Sequence, residues 1–375
     1  MKMSVFLRIV FTAGVCAVLL GGPECMAVDK TEPAVIVPEC RAVWYNFYML
    51  NVSNEEESKK QIDEHFRIMN DLGINTVMPL VKYTDGTAFY DSDILPRKAE
   101  WDCLAYSIKQ ARKYNMEIHP YINVYCEDGY YLKEHPEYGD LDSAGKPNGW
   151  SSPAIEEVTK HNVAVIKELV AKYDIDGVHL DRVRYTEKNM GYNPVSVQKY
   201  HEKYNKEPDQ NDPDWTQFRR DLISQFVKTA YTELKKVNKN MKFSVAVFHS
   251  PKTSIRIMQD WPAWVKEGWM DFITPMSYTA TPATFETYVN DCIAAVQGKM
   301  PLYIGIGAYY KGMTPELLAG QIDYVRKQNL PGMIYFNAYS FFASPELMEV
   351  LREKDKVKAV SPHRVPKQKE FEGTK

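Results

Sequence analysis

Several familiar signatures are missing from this chain of 375 residues. No G-x-G-x-x-G follows a predicted strand, and there is no H-E-x-x-H and no G-x-S-x-G. These absences argue against dinucleotide binding, a zinc protease site and a serine nucleophile elbow. With eight dispersed histidines, the pattern predicts no metal and no cofactor.

The chain also has few cysteines and a small net charge. Of six cysteines, Cys40, Cys103, Cys126 and Cys292 lie beyond the N-terminal segment and form no C-x-x-C pair, which argues against a zinc knuckle or a dense disulfide framework. One or two disulfides and buried free thiols both remain open. The net charge of -3 gives no indication of a nucleic-acid partner.

Long apolar runs are confined to the N-terminus. A basic start, a short apolar core and Ala27 at a small-residue site predict a signal peptide over residues 1–27, and hence a secreted or periplasmic protein. An uncleaved anchor is the alternative, and lipidation at Cys25 is disfavoured by Glu24. We expect a leader over 28–39, no transmembrane segment in the mature chain, and a polar tail over 357–375.

What the chain does have is a regular alternation of strands and helices. Apolar stretches such as "INTVMPLVKY", "DIDGVHLDRVRY" and "KFSVAVF" alternate with amphipathic segments, including 54–72 and 214–237. "TPEL" and "SPEL" resemble an N-cap followed by proline at the first helical position. Eight such units over 40–356 predict an α/β fold, a single (β/α)₈ TIM barrel with long loops after strands 2, 3 and 4. A doubly wound open sheet is the alternative.

In such barrels the chemistry lies at the C-terminal ends of the strands. If Gly177 points inward, strand alternation turns His179 and Asp181 inward too, with Asp181 at the mouth. Arg182 or Arg184 could pair with this carboxylate. Asp181 is therefore our leading catalytic candidate, and His179 is expected to orient a neighbour.

A second group of candidates consists of amides and aromatic rings at strand ends, which suit sugars because hydroxyls need paired hydrogen bonds and C–H faces pack on rings. Together with 25 Tyr and 7 Trp in the chain, they predict a glycan groove. The candidate substrate-binding residues are Trp44, Asn46, Asn123, Tyr125, His179, Arg184, Tyr185, Tyr278, Tyr309 and Asn337.

Glycoside hydrolysis usually requires two carboxylates. The candidates for a partner of Asp181 are Glu127 and Asp128 after strand 3 and Asp85 after strand 2. Asp271 begins strand 6 and so lies at the wrong end. A different chemistry, a Schiff-base aldolase, would need an inward lysine, for which Lys82 is the nearest fit.

Several motifs in order resemble the family 10-like bacterial glycosyl hydrolases from about residue 41 to 342: "RAVWYNFY", "DGTAFYDSDILP", "EIHPYINVY", "YDIDGVHLDRVRY" and "PLYIGIGAYY". The resemblance implies an exported glycosidase-like barrel acting on a polysaccharide or cell-wall glycan. It places Asp181 at the family's strand-four acid, with His179, Arg184 and Tyr185 in the same motif. Many members carry a second acid where this chain has Arg182, a proline at Thr186 and a glutamine at Met276. A glycan-binding barrel without turnover is the alternative function.

Overall fold

The computed structural model describes residues 36–364. The predicted signal peptide, its cleavage near Ala27, most of the leader and residues 365–375 lie outside this range. Within it, no helix combines the length and the apolar character needed to cross a membrane.

Eight parallel strands close into a barrel, which confirms the predicted (β/α)₈ fold and excludes the open sheet. Each strand pairs with its neighbours along the chain, and the eighth pairs with the first, for example Met333 with Arg41. The strands are β1 Cys40–Asn46, β2 Thr76–Lys82, β3 Glu117–Ile118 continued by Tyr121–Asn123, β4 Gly177–Asp181, β5 Lys242–Phe248, β6 Phe272–Met276, β7 Tyr303–Ile306 and β8 Gly332–Tyr335.

Helices surround the barrel, and those outside the long loops bury one face against it. Their starts follow the sequence signals: Thr314 and Ser344 accept hydrogen bonds from the backbone N–H of Leu317 and Leu347, with proline at the first helical position, as predicted. The helices are α1 Glu55–Asp71, α2 Cys103–Lys113, α3 Tyr130–Glu134, α4 Glu156–Lys172, α5 Pro194–Tyr204, α6 Pro213–Val237, α7 Pro251–Ile255, α8 Trp261–Glu267, α9 Pro282–Val296, α10 Pro315–Lys327, α11 Ala338–Phe342 and α12 Pro345–Lys354.

The core has two layers. A large cluster fills the space between the strands and the helices, and a smaller one fills the barrel interior with side chains that include Trp44, Met78, Tyr121 and Ile334. The close packing of this interior explains Gly177, because a Cβ atom there would lie 2.3 Å from Nδ1 of His119. Gly177 thus faces inward, which sets the phase of β4 as the sequence predicted.

The long loops after β2, β3 and β4 are present at the C-terminal end of the barrel. The loop after β3 contains α3, a short 3₁₀ helix over Pro136–Tyr138 and a hairpin of Gly139–Leu141 with Pro147–Ser151. The stretch after β4, which we expected to be a loop, contains α5. These insertions wall one side of the barrel mouth.

The predicted boundaries of the leader and of the polar tail need correction. Ile36–Pro38, placed in the leader, pairs with Lys358–Val360, placed in the polar tail. The Ser361 hydroxyl then donates to Glu117 (2.7 Å) and Nε2 of His363 lies 3.0 Å from the Tyr303 hydroxyl, at the N-terminal end of the barrel. The tail prediction failed for 358–364 because a short polar strand carries no periodic signal; its order comes from partners distant in sequence.

Because His363 is part of the contacts between the chain ends, we expect the free energy of unfolding to depend on pH. Burial is the main cause that lowers its pKa from 6.5 to about 4, with Glu117 opposing and His119 and Lys242 reinforcing the effect. The unfolded chain therefore takes up this proton at a higher pH than the folded chain, so stability is full above pH 6.5 and falls as the pH drops toward 4. We expect His363→Gln, which keeps a hydrogen-bond acceptor for Tyr303, to flatten this loss in urea unfolding measured across that window. An unchanged slope would contradict the assignment.

The four cysteines of residues 36–364 are buried and unpaired, namely Cys40, Cys103, Cys126 and Cys292. Of the two possibilities left open by the sequence, the structure has the free thiols.

Candidate active site

Asp181 is the last residue of β4 and lies half-buried at the C-terminal end of the barrel. Its Oδ1 accepts a 2.6 Å hydrogen bond from the backbone N–H of Arg182. That residue has a φ of 57°, in the left-handed region that few non-glycine residues adopt. The strand therefore ends abruptly here, and Asp181 faces the mouth with most of its acceptor capacity unused.

His179 lies one inward position below Asp181 and is completely buried. Its Nδ1 is 2.8 Å from the Ser244 hydroxyl, and its ring packs near Trp44 and Tyr121. Burial, with a further contribution from His119, lowers the pKa of His179 to about 3. A neutral, enclosed imidazole of this kind supports its neighbours and is not placed to exchange protons with a substrate.

An aromatic wall stands beside Asp181, formed by Trp44, Tyr278, Tyr309 and Phe336. Trp44 meets Phe336 at 5.6 Å and Tyr278 at 6.4 Å between ring centroids, and Phe336 meets Tyr309 at 5.2 Å. Tyr309 is 52% exposed, so the wall leads from the barrel interior to solvent. Such a surface fits the C–H faces of a sugar ring.

The Tyr278 hydroxyl is shielded and has no hydrogen-bond partner among residues 36–364. Burial first, then the nearby Asp181 carboxylate, raises the pKa of Tyr278 well above its ordinary value. The hydroxyl stays protonated, so it is a donor directed into the neighbourhood of Asp181.

Asn46 and Asn123, two predicted substrate-binding amides, lie at the ends of β1 and β3. The Asn46 side chain accepts from the Tyr121 hydroxyl at 2.6 Å and donates to the Tyr48 hydroxyl at 3.1 Å. Asn123 donates to the backbone carbonyl of Lys82 at 3.2 Å and accepts from Nε of Arg182 at 3.1 Å. Both amides are buried and fixed, so they position other groups rather than standing free for a ligand.

The two arginines after β4 do not form the ion pair that the sequence suggested. Within the described range neither makes a salt bridge to Asp181. Both instead lie over the ring of Trp150 from the hairpin, with guanidinium-to-centroid distances of 5.6 Å for Arg182 and 5.2 Å for Arg184. Arg184 also lies 5.3 Å from the ring of Phe248, and its Nε atom has no hydrogen-bond partner.

Glu127, a predicted catalytic carboxylate, is completely buried in an ion pair with Lys82. Its second oxygen accepts from the Ser151 hydroxyl at 3.0 Å, and Lys82 also donates to Asn162 of α4 at 2.8 Å. The pair lies outside the strands, against α4, and has no access to the mouth. Glu127 is therefore a structural residue that anchors the loop after β3.

The same pair excludes Lys82 as a Schiff-base lysine. The pairing of β2 with β3 shifts register between Leu80 and Lys82. This irregularity turns Lys82 from the interior, where simple alternation would place it, to the outer layer. The aldolase alternative has no lysine in position.

The other two acids lie nearer the surface. Asp85 forms a 2.5 Å ion pair with Lys98 and accepts from the Thr87 hydroxyl and N–H. Partial burial raises its pKa, but the hydrogen bonds from Lys98 and Thr87 outweigh this and the net pKa is lowered. Asp85 is thus held ionised and is a poor proton donor.

Asp128 is exposed and makes no ion pair with any described residue. Its backbone N–H donates to the Thr84 carbonyl at 2.9 Å, which fixes the position of the chain. Across from it lies the hairpin, since a Cβ on Gly149 would be 3.0 Å from the Cβ of Asp128. The electrostatic surroundings of Cys126 include both Asp128 and Asp181, which places the two carboxylates in one region.

Three predicted binding residues do not face the mouth. Tyr125 packs in the outer layer at 5.5 Å from Phe226, because the chain leaves the strand alternation after Asn123. Tyr185 is also buried in that layer, since the left-handed turn at Arg182 ends the alternation of β4. Asn337 caps α11 with its side chain.

Sequence reasoning missed Phe336, Tyr121 and Trp150 as parts of the site. Phe336 could have been found by extending the alternation of β8 by one inward position from Ile334. Trp150 carried a weaker signal, a single large aromatic in a polar, glycine-containing loop. Its position beside the two arginines depends on the hairpin, whose pairing the sequence did not indicate.

A further carboxyl that the sequence did not single out is Asp140 in the hairpin. It is only 2% exposed, and burial raises its pKa to about 8 despite opposing contributions from backbone N–H groups and Arg219. A protonated acid could serve as a donor, but Asp140 is almost completely shielded from solvent. Within residues 36–364, His, Cys, Asp and Glu side chains form no cluster that could hold a metal ion.

Comparison with known proteins agrees with this architecture. A family described as "Glycosyl hydrolase-like 10" matches residues 39–325. The chain is 28% identical over 316 residues to the glycosyl hydrolase YngK of Bacillus subtilis, covering 72% of this chain and 61% of that protein. It is 25% identical over 346 residues to the glycosyl hydrolase DigH of Escherichia coli, covering 77% of this chain and 76% of that protein.

Among solved structures, the glycoside hydrolase domain of PgaB (BpsB) from Bordetella bronchiseptica superposes with a TM-score of 0.70 at 16% identity, covering 86% of this chain and all of that one. An α-L-fucosidase from Paenibacillus thiaminolyticus gives a TM-score of 0.66 at 14% identity, covering 85% of this chain and 49% of that one. At these identities the likeness concerns the fold.

Proposed function

The chain belongs to the glycosyl hydrolase-like 10 family, and on that premise we propose that it is an exported glycoside hydrolase acting on a polysaccharide or cell-wall glycan. The observation that carries the proposal is the arrangement at the barrel mouth, where Asp181 stands half-buried beside the aromatic wall. Export rests on the signal-peptide features of residues 1–27. The names of the two relatives, both glycosyl hydrolases, support the reaction class.

In the proposed mechanism, a sugar ring packs against Tyr309 and the accessible part of Tyr278, which the buried Trp44 supports from the interior, and this brings the anomeric carbon to Asp181. Asp181 acts as nucleophile, or as the base that activates a water molecule. The protonated hydroxyl of Tyr278 donates to a sugar oxygen or to the carboxylate. Asn123 and Arg182 hold the end of β4 in place.

Asp128 is the acid that we propose for protonating the leaving oxygen. Glu127 is enclosed by Lys82, and Asp85 is held ionised by Lys98, whereas Asp128 is exposed on the loop that borders the mouth. A separation of about 5–5.5 Å from Asp181 in the substrate complex would give retention of configuration, and about 6.5–9.5 Å would give inversion. The anomer released first, read by ¹H NMR, reports which applies.

The test is a digestion panel. Purified protein is incubated with peptidoglycan strands and with plant and host polysaccharides, and products are read by mass spectrometry. We expect new reducing ends from at least one glycan, and Asp128→Asn to lower kcat by about 10²–10⁴-fold because the leaving group loses its proton donor.

Glu137→Gln is the matched control, since Glu137 is an exposed acid on the same loop. It should leave kcat unchanged. Equal kcat in wild type and Asp128→Asn would assign the acid elsewhere.

A second function, glycan binding without hydrolysis, is favoured by one observation: Arg182 occupies the position next to Asp181 where many family members carry an acid. In that case calorimetry would show glycan affinity through the aromatic wall, and Tyr309→Ala would weaken it, with no product from any member of the panel.

A further inference from the structure

The two arginines beside Asp181 have no ion-pair partner among residues 36–364. Neither Arg182 nor Arg184 forms a salt bridge with a described residue, although most buried or half-buried cations of this fold do, for example Arg41 with Glu39 at 2.6 Å. Arg182 makes one side-chain hydrogen bond, to the neutral amide of Asn123. Asp181 and Asp128 are the carboxylates of this region, and among the described residues neither forms an ion pair with one of the two guanidinium groups.

The environment makes unpaired guanidinium groups costly. Both guanidinium groups lie over one ring, that of Trp150, so they repel each other, and Phe248 adds a second apolar surface against Arg184. Burial lowers the pKa of Arg184, the nearby Asp181 carboxylate opposes this effect, and the neighbouring Arg182 adds to it. A half-buried charge without a counter-ion is destabilising unless something supplies one.

The backbone holds Arg182 in this place. Its left-handed φ of 57° and the hydrogen bond from its N–H to Asp181 direct the side chain toward Asn123 and Trp150. A left-handed conformation in a non-glycine residue is unfavourable and persists where the surroundings require it. The shielded Nε of Arg184, which has no hydrogen-bond partner in the described part of the chain, is a second unused donor at the same place.

We infer that Arg182 and Arg184 form a subsite for an oxyanion on the sugar, so that the glycan recognised at this mouth is acidic, bearing a carboxylate or a sulfate. The inference rests on the proposed function, since it concerns the ligand of the same site. A guanidinium group binds either oxyanion through paired N–H donors. Trp150 supports the two cations, and the aromatic wall across Asp181 takes the sugar face.

The experiment compares galactose-based oligosaccharides of equal length by calorimetry with the purified chain: galacturonate oligomers, sulfated galactan oligomers and neutral galactan oligomers. Polyglutamate serves as an anion without sugar. We expect an acidic oligosaccharide to bind at least about tenfold more tightly than the neutral one, the range of a charge-assisted hydrogen bond. The preference should fall as salt is raised.

Arg182→Gln removes the charge while keeping a donor for Asn123, and should abolish most of the preference for the acidic ligand. Arg184→Gln tests the second cation, with circular dichroism confirming the fold of each variant. Lys188→Gln is the matched control, because Lys188 is an exposed cation on the same loop whose Nζ contacts Asn211; it should bind like the wild type.

A galacturonate preference assigns a carboxylate, and a preference for the sulfated oligomer assigns a sulfate. Equal affinity for acidic and neutral oligosaccharides, or loss of the preference in Lys188→Gln to the same extent as in Arg182→Gln, would overturn the subsite. If polyglutamate bound as tightly as the acidic sugars, the subsite would also be overturned, because the binding would then come from charge attraction alone. Product release is followed in parallel, so that the subsite and the proposed function can be tested separately. Tight binding of acidic oligosaccharides without cleavage would contradict the proposed hydrolysis but not the subsite. Cleavage of neutral glycans without a preference for acidic ones would contradict the subsite but not the proposed hydrolysis.

Discussion

Replacing Asp181 by asparagine is expected to lower kcat by at least about 10²–10⁴-fold on whichever glycan the wild type cleaves, because an amide can neither attack the anomeric carbon nor take a proton from water. Folding should be unaffected. The carboxylate makes one hydrogen bond, as acceptor from the backbone N–H of Arg182, and the amide oxygen of asparagine can accept it equally well. Turnover is measured as reducing ends per unit time, and stability as the midpoint of thermal unfolding.

Asp271→Asn provides the matched control from the opposite end of the barrel. Asp271 precedes β6, where it pairs with Lys235 at 2.8 Å and accepts from the N–H of Phe243. Its replacement should reduce stability and leave kcat intact, the reverse of Asp181→Asn. Full activity in Asp181→Asn would remove Asp181 from the mechanism, whatever the control shows.

The second large effect concerns stability. We expect Lys82→Met or Glu127→Gln, each made alone, to lower the free energy of unfolding by about 3–5 kcal/mol, because each leaves its partner buried without full compensation. The Lys82 and Glu127 side chains have no solvent exposure, so water cannot take the place of the lost partner. Urea unfolding of each variant measures the loss.

The double variant Lys82→Met with Glu127→Gln tests the cause. Removing both charges should recover a large part of the loss, since the desolvation cost disappears with the pair. His161 lies 3.7 Å from Glu127, and burial, then Lys82, lowers its pKa to about 3, so it is neutral beside the intact pair. A double variant as unstable as the sum of the singles would show that packing, rather than charge, is what the pair contributes.

Asp181 and Glu127 show which site residues could be assigned from the sequence and which could not. Asp181 was identifiable because strand alternation from Gly177 is a local rule, and β4 keeps its phase to the end. Glu127 and Asp128 were indistinguishable in the sequence, as adjacent acids after the same strand. Only the position of Lys82, turned outward by the register shift in β2, separates the anchoring acid from the exposed one.

The two chain ends are a second example of structure that local sequence patterns do not predict. The barrel's helices and strands follow from apolar periodicity and from caps such as Thr314 and Ser344, which act over a few residues. The pairing of Ile36–Pro38 with Lys358–Val360 joins segments that carry no such signal and are brought together by closure of the barrel.

The sequence by itself determined the barrel, the phase of β4, the place of Asp181 and the aromatic character of the mouth, because each follows from a repeating local pattern. The tertiary structure decided which side chains reach that mouth. It placed Tyr125 and Tyr185 in the outer layer, Glu127 with Lys82, and Arg182 and Arg184 over Trp150 without a counter-charge. The physical reason is that alternation stops where a strand ends or its register shifts, and beyond that point only contacts between distant segments fix where a side chain lies.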